Sequence, residues 1–97
     1  MADRANETEP VVFDARLRYV LHGEVALRSE PFGALAYNYS NRRLTFLRSV
    51  ELRELVRSLG DFDSADEAVR RSVPEASRPK YLRALAGLAQ SGMIRAC

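Results

Sequence analysis

One cysteine, one histidine and one lysine are all that this chain of 97 residues holds of those three types, and each scarcity removes a class of function. Cys97 alone supports neither a disulfide framework nor a thiolate metal cluster. His22 sits beside Gly23 in a turn-like dipeptide with no serine or cysteine motif near it, so no catalytic triad can be built on it. Gly33, Gly60, Gly87 and Gly92 stand singly, and none belongs to a loop that would cradle phosphate. The acidic run Asp61, Asp63, Asp66 and Glu67 has the look of a calcium loop, yet Ala65 stands at the third ligand position and the required glycine is missing at position 66. No apolar run approaches the roughly 20 residues that cross a bilayer, and Asp3, Glu7 and Glu9 stand where a secretion signal would be basic and then apolar. These absences predict a cytoplasmic protein that is not an enzyme, holds no metal in a thiolate cluster or calcium loop, and has no membrane partner.

What remains is ordinary in amount and informative in arrangement. A hydrophobic content of 46% with 29% charge fits one soluble domain with one core. Residues 1–10, MADRANETEP, are polar and end in proline, which predicts a disordered tail ahead of a single domain over residues 11–97. The net charge is +2, but the tail holds one arginine against three acids, leaving 14 basic and 10 acidic residues, or +4, on the remainder. Arginine outnumbers lysine 14 to 1, which reads as codon usage in a GC-rich genome; the planar guanidinium also suits carboxylate partners.

Hydrophobic periodicity orders the elements. Leu17 to Leu21 is a short extended segment running into His22 and Gly23. Three runs of period two follow: Val25, Leu27 and Ser29; Leu35, Tyr37 and Tyr39; Leu44 and Phe46, each alternating with its neighbours. The breaks at Pro31-Phe32-Gly33 and Ser40-Asn41-Arg42 are short and rich in turn formers, so a three-stranded antiparallel meander is predicted. Its third strand is apolar on both faces, and alternation leaves its register to the core open. The period then becomes 3.6. Ser49 caps a predicted helix over about 50–59 with Leu52, Leu55, Val56 and Leu59 on one face and Gly60 as its left-handed stop. Ser64 and Glu67 form a capping box that opens a shorter helix ended by Pro74. Ser77 and Pro79 introduce a third over about 78–91, closed by Gly92, with Met93 and Ile94 folding back beyond it. The fold class is therefore α+β, winged-helix-like, with an N-terminal three-stranded antiparallel sheet followed by a three-helix bundle.

The third strand of such a meander is an edge, and unpaired N–H and C=O groups over residues 43–47 invite another strand. Two basic groups, Arg42-Arg43 with Arg48 and Arg78-Lys80-Arg83, either form a solvated surface or flank one groove between that edge and the third helix. Tyr81, Ala84 and Leu88 would be the floor of the groove, or simply core.

The block VALRSEPFGALAYNYSNRRLTFLRS, the pattern Leu52-x-x-Leu55-Val56-x-x-Leu59-Gly60 and the ending Tyr81-Leu82-x-x-Leu85-x-x-Leu88-x-x-x-Gly92-Met93-Ile94 resemble the peptide chaperones of mycofactocin biosynthesis over roughly residues 17–95. These are PqqD-like precursor-peptide recognition elements. The resemblance implies a protein without a cofactor of its own that binds the leader of a ribosomally made peptide and delivers it to a radical SAM maturase. In related elements the leader adds a strand to the third strand and lies against the third helix. That carries over to Arg43, Leu44, Thr45, Phe46 and Leu47 and to Tyr81, Ala84 and Leu88. An acid-rich leader would suit Arg43, Arg48 and Lys80. The competing reading is a small winged-helix DNA binder, which three helices, a hairpin and a pI of about 9.0 would fit. Against it, nothing after the third helix is long enough for a wing, so no nucleic-acid partner is expected.

Overall fold

The computed structural model describes residues 12–97, and the tail expected over residues 1–10 lies outside them. Five strands and three helices follow one another as β1 (Tyr19–Leu21), β2 (Val25–Glu30), β3 (Gly33–Asn38), β4 (Arg43–Leu47), α1 (Val50–Ser58), α2 (Ala65–Ser72), α3 (Arg78–Gln90) and β5 (Ile94–Ala96). Strands β2, β3 and β4 form the antiparallel meander in that spatial order, where alternation puts them.

The meander turns its small side chains inward. Ala34, Ala36 and Asn38 of β3 are buried, and the pairings Ala34 with Leu47 and Ala36 with Thr45 place Leu47 on the same inner face. Helix α1 packs against β3 here, and alanine at the contact lets helix and sheet approach closely. Leu35, Tyr37, Leu44 and Phe46 consequently occupy the outer face, which fixes the register that the sequence pattern leaves open. Gly33 allows the hairpin to tuck under β4: its φ is +151°, and a Cβ there would collide with the Leu47 carbonyl and stand 2.8 Å from the Ser49 nitrogen.

Capping sets the helix limits. Ser49 accepts the Leu52 N–H at 3.0 Å to start α1, and Ser64 accepts the Glu67 N–H at 3.0 Å to start α2. Glu67 returns to accept the Asp63 N–H at 3.1 Å, one residue upstream of the usual box. The acidic run thus serves this helix start, with Asp66 and Glu67 also paired to Arg70 and Arg71. Two expectations about caps need correction. Ser77 makes no side-chain cap on α3, which begins with Pro79 in its first turn. Gly60 is not a left-handed stop; among the described glycines only Gly33 and Gly92 have positive φ. α1 instead tightens into a 3-10 turn over Leu59–Asp61, and Gly60 is needed because a Cβ there would lie 2.8 Å from Val20 Cγ1.

Gly92 does end α3 with φ +81°. The Met93 N–H reaches the Leu88 carbonyl at 2.8 Å and the Gly92 N–H the Ala89 carbonyl at 3.2 Å, the paired bonds of a Schellman motif. Met93 is buried, and Ile94 goes on into β5, a strand not expected from the sequence. It pairs antiparallel with β1, Tyr19 opposite Ala96 and Leu21 opposite Ile94. One core joins these parts, with Leu47, Leu55, Leu59, Leu85 and Met93 its largest fully buried side chains.

Candidate functional site

Strand β4 is hydrogen-bonded to β3 on one side, and among the described residues no strand lies on the other. Helix α3 packs on α2 and β5, and between α3 and the open edge of β4 runs a groove of about 520 Å³. One stripe of α3 lines it, Lys80, Tyr81, Ala84, Gly87 and Leu88, at the three- and four-residue spacing that places side chains on one helix face, and the cap residue Ser91 continues it. Thr45 to Arg48 form the facing wall, and Ser49 and Leu52 close one end at the start of α1.

Eight of the ten residues singled out in the sequence border this groove: Thr45, Phe46, Leu47, Arg48, Lys80, Tyr81, Ala84 and Leu88. Their roles differ. Tyr81 and Leu88, 8% and 5% exposed, belong to the core and are at the same time the floor of the groove, so the two readings of that stripe do not exclude each other. Leu47 is wholly buried opposite Ala34, whereas Phe46, on the outer face and half exposed, reaches the rim. Arg43 and Leu44 lie on the same strand outside the lining, Arg43 at the hairpin end and Leu44 exposed on the outer face. Asn41 Oδ1 accepts the Arg43 N–H at 2.9 Å, which occupies the first donor of the strand.

Ser49, Leu52, Gly87 and Ser91 also line the groove and were not singled out for it. The helical spacing that joins Tyr81, Ala84 and Leu88 reaches Gly87 and Ser91 when continued, so a signal for those two existed. Ser49 and Leu52 read locally as a cap and a first core position, and only the fold turns them toward the groove.

Charge around the groove is unbalanced. The ion pairs of the described residues join Asp14 to Arg16, Arg28 to Glu30, Glu54 to Arg53 and Arg57, Asp66 to Arg70 and Glu67 to Arg71. None involves Arg42, Arg43, Arg48 or Lys80, which stand on β4, at its ends, or at the start of α3. The Lys80 ammonium lies 5.6 Å from the Tyr81 ring centroid, within cation–π range. An apolar slot beside an unpaired strand edge, with cations at its mouth, is suited to an extended peptide that carries both apolar side chains and carboxylates.

The sequence profile of the peptide chaperone MftB family matches residues 18–95, a span that includes both walls of the groove. The chain belongs to that family. The peptide chaperone MftB of Mycolicibacterium smegmatis is 40% identical over 87 residues, covering 89% of this chain and 85% of the relative. Its counterpart from Mycobacterium tuberculosis is 38% identical over 94 residues, with 96% and 84% covered. That of Mycobacterium ulcerans is 41% identical over 83 residues, with 84% and 76% covered. No solved structure gives a significant match. The MftB family is named for chaperoning a peptide and is non-catalytic.

Proposed function

We propose that this chain is the peptide chaperone of a mycofactocin pathway, binding the leader of the ribosomally made precursor by adding it as a strand to β4 and presenting it in the cytoplasm to a radical SAM maturase. The observation that carries the reading is the open edge of β4 above a groove floored by Tyr81, Ala84 and Leu88. Family membership supports the peptide, and Arg48 and Lys80, which make no ion pair among the described residues, support an acid-rich one.

The magnitudes are consistent with capture and release. Four or five ladder hydrogen bonds at about 1 kcal/mol net each, with two apolar anchors at roughly 1.5–3 kcal/mol each, act against the cost of ordering a flexible peptide. These favourable terms total about 7–11 kcal/mol before that cost is subtracted, which makes for a reversible complex, loose enough to pass a leader on.

Isothermal titration of the protein with a synthetic precursor leader tests the reading. Binding in the micromolar range is expected, weakened severalfold by Arg48→Ala or Lys80→Ala and by raising salt, because exposed charges are screened beyond about 10 Å at 0.1 M. Absence of heat at tens of micromolar would overturn it.

A further inference from the structure

The face of the meander turned away from the helices is unusually apolar. Leu35 and Tyr37 of β3 and Leu44 and Phe46 of β4 share it, with Phe32 and Tyr39 at its ends. Phe32 packs edge-on to Phe46 at a centroid distance of 6.1 Å, and Tyr37 edge-on to Tyr39 at 4.8 Å. These contacts leave Tyr39 64%, Leu44 58%, Phe46 52% and Phe32 48% exposed. A shallow depression of about 650 Å³ lies here, bordered by Arg28, Glu30, Phe32, Leu35, Phe46 and Arg48. Phe46 and Arg48 also border the α3 groove, so the two surfaces are continuous around the edge of β4.

We infer that this outer face is the second half of the peptide site, taking the side chains of the guest strand that point away from the groove. The inference rests on the strand-addition reading and deepens it. Successive side chains of a strand alternate between the faces of its sheet. A guest paired with β4 therefore places one set against Tyr81, Ala84 and Leu88 and the other beside Leu44 and Phe46, within reach of Phe32. The ligand is accordingly a strand apolar on both faces, a run of four or more consecutive aliphatic, aromatic or β-branched residues next to acidic ones. A guest read by the groove alone would need apolar residues only at every second position.

A second copy of this chain is the competing occupant. Four half-exposed side chains would remove about 400 Å² per copy, so a face-to-face pair falls short of the roughly 1,200–2,000 Å² that stable interfaces bury. Continuity with the groove favours the peptide.

The test uses the full chain and a fluorescein-labelled synthetic precursor leader, read by fluorescence anisotropy, with sedimentation equilibrium of the free protein. Phe32→Ser lies in an exposed turn and Leu44→Thr on an edge, and neither residue lines the groove, so both variants are expected to fold as judged by circular dichroism. Each is expected to weaken the leader about tenfold, Ala84→Arg to abolish binding, and the free protein to be monomeric at tens of micromolar. Serine replacement of either alternate set of leader residues should weaken binding as well. Loss with Ala84→Arg but full affinity in Phe32→Ser and Leu44→Thr would overturn the inference and leave the groove reading standing. No effect of Ala84→Arg would overturn both. A dimer dissolved by Phe32→Ser would assign the face to a second copy and overturn the inference.

Discussion

The hydroxyl oxygens of Ser49 and Tyr81 stand 3.4 Å apart, joining the cap of α1 to the groove-facing stripe of α3. Ser49 also receives the Leu52 N–H, so Ser49→Ala removes a helix cap and this link together. The expected loss is about 1 kcal/mol, a fall in Tm of about 4–8 °C for a domain of this size. Tyr81→Phe keeps the buried ring and should cost less than half as much. Scanning calorimetry distinguishes the two, and equal Tm values for Ser49→Ala and the parent would remove the cap from the list of stabilising contacts.

Gly87 is an exposed glycine within α3 whose added Cβ would meet no atom within 4 Å. Its φ is not positive, so neither backbone geometry nor packing demands it. Gly87→Ala should raise stability by up to about 1 kcal/mol, since alanine is the better helix former. The same methyl would project into the groove and is expected to weaken leader binding. Denaturation and titration of one variant therefore move in opposite directions, and parallel changes would show that the groove floor does not read the peptide closely.

Asn38 is 1% exposed and ties two distant turns together. Its Nδ2 donates to the Gly92 carbonyl at 2.8 Å, and its Oδ1 accepts the N–H groups of Ser40 at 2.7 Å and Asn41 at 3.3 Å. Asn38→Ala orphans these groups at the end of α3 and in the β3–β4 turn. A loss of about 2–4 kcal/mol is expected, counting about 0.5–1.5 kcal/mol for each of the three hydrogen bonds lost. Urea unfolding measures it, and a loss below that range would mean that water replaces the amide.

Among the described residues, Asp14 is the carboxyl with a large displacement. Hydrogen bonds from the Arg16 guanidinium, and then from the Arg16 backbone N–H, lower it from 3.8 to about 2. The sign follows from linkage: a carboxyl with a depressed folded-state value stabilises the fold above its unfolded value and loses that contribution as pH falls between about 4 and about 2. Carbon-detected NMR titration should find Asp14 still ionised at pH 3, and Asp14→Asn should flatten that part of the stability curve.

The meander and the helix starts were legible because their signals are local. Alternation needs only neighbouring residues, and Ser49 and Ser64 cap by bonding a few residues ahead. The β1–β5 pair was not legible, since three residues such as Ile94 to Ala96 establish no period and their partner lies at the other end of the fold. Nor was the inward face of β3. Leu35 and Tyr37 are more hydrophobic than Ala34 and Ala36, yet the approach of α1 selects the smaller pair, and that choice belongs to the contact and not to the strand. Gly60 shows the same limit from the opposite side: its local position resembles a helix stop, while the reason for glycine there is Val20, brought against it by β1. Of the groove, the strand wall and the apolar stripe of α3 were readable, and the end wall at Ser49 and Leu52 was not.

Pairing of Tyr19 with Ala96 and of Leu21 with Ile94 clasps the last strand of the fold to the first. Fraying of either strand takes away the other's hydrogen-bonding partner, so the amide protons of the two are expected to exchange as one unit.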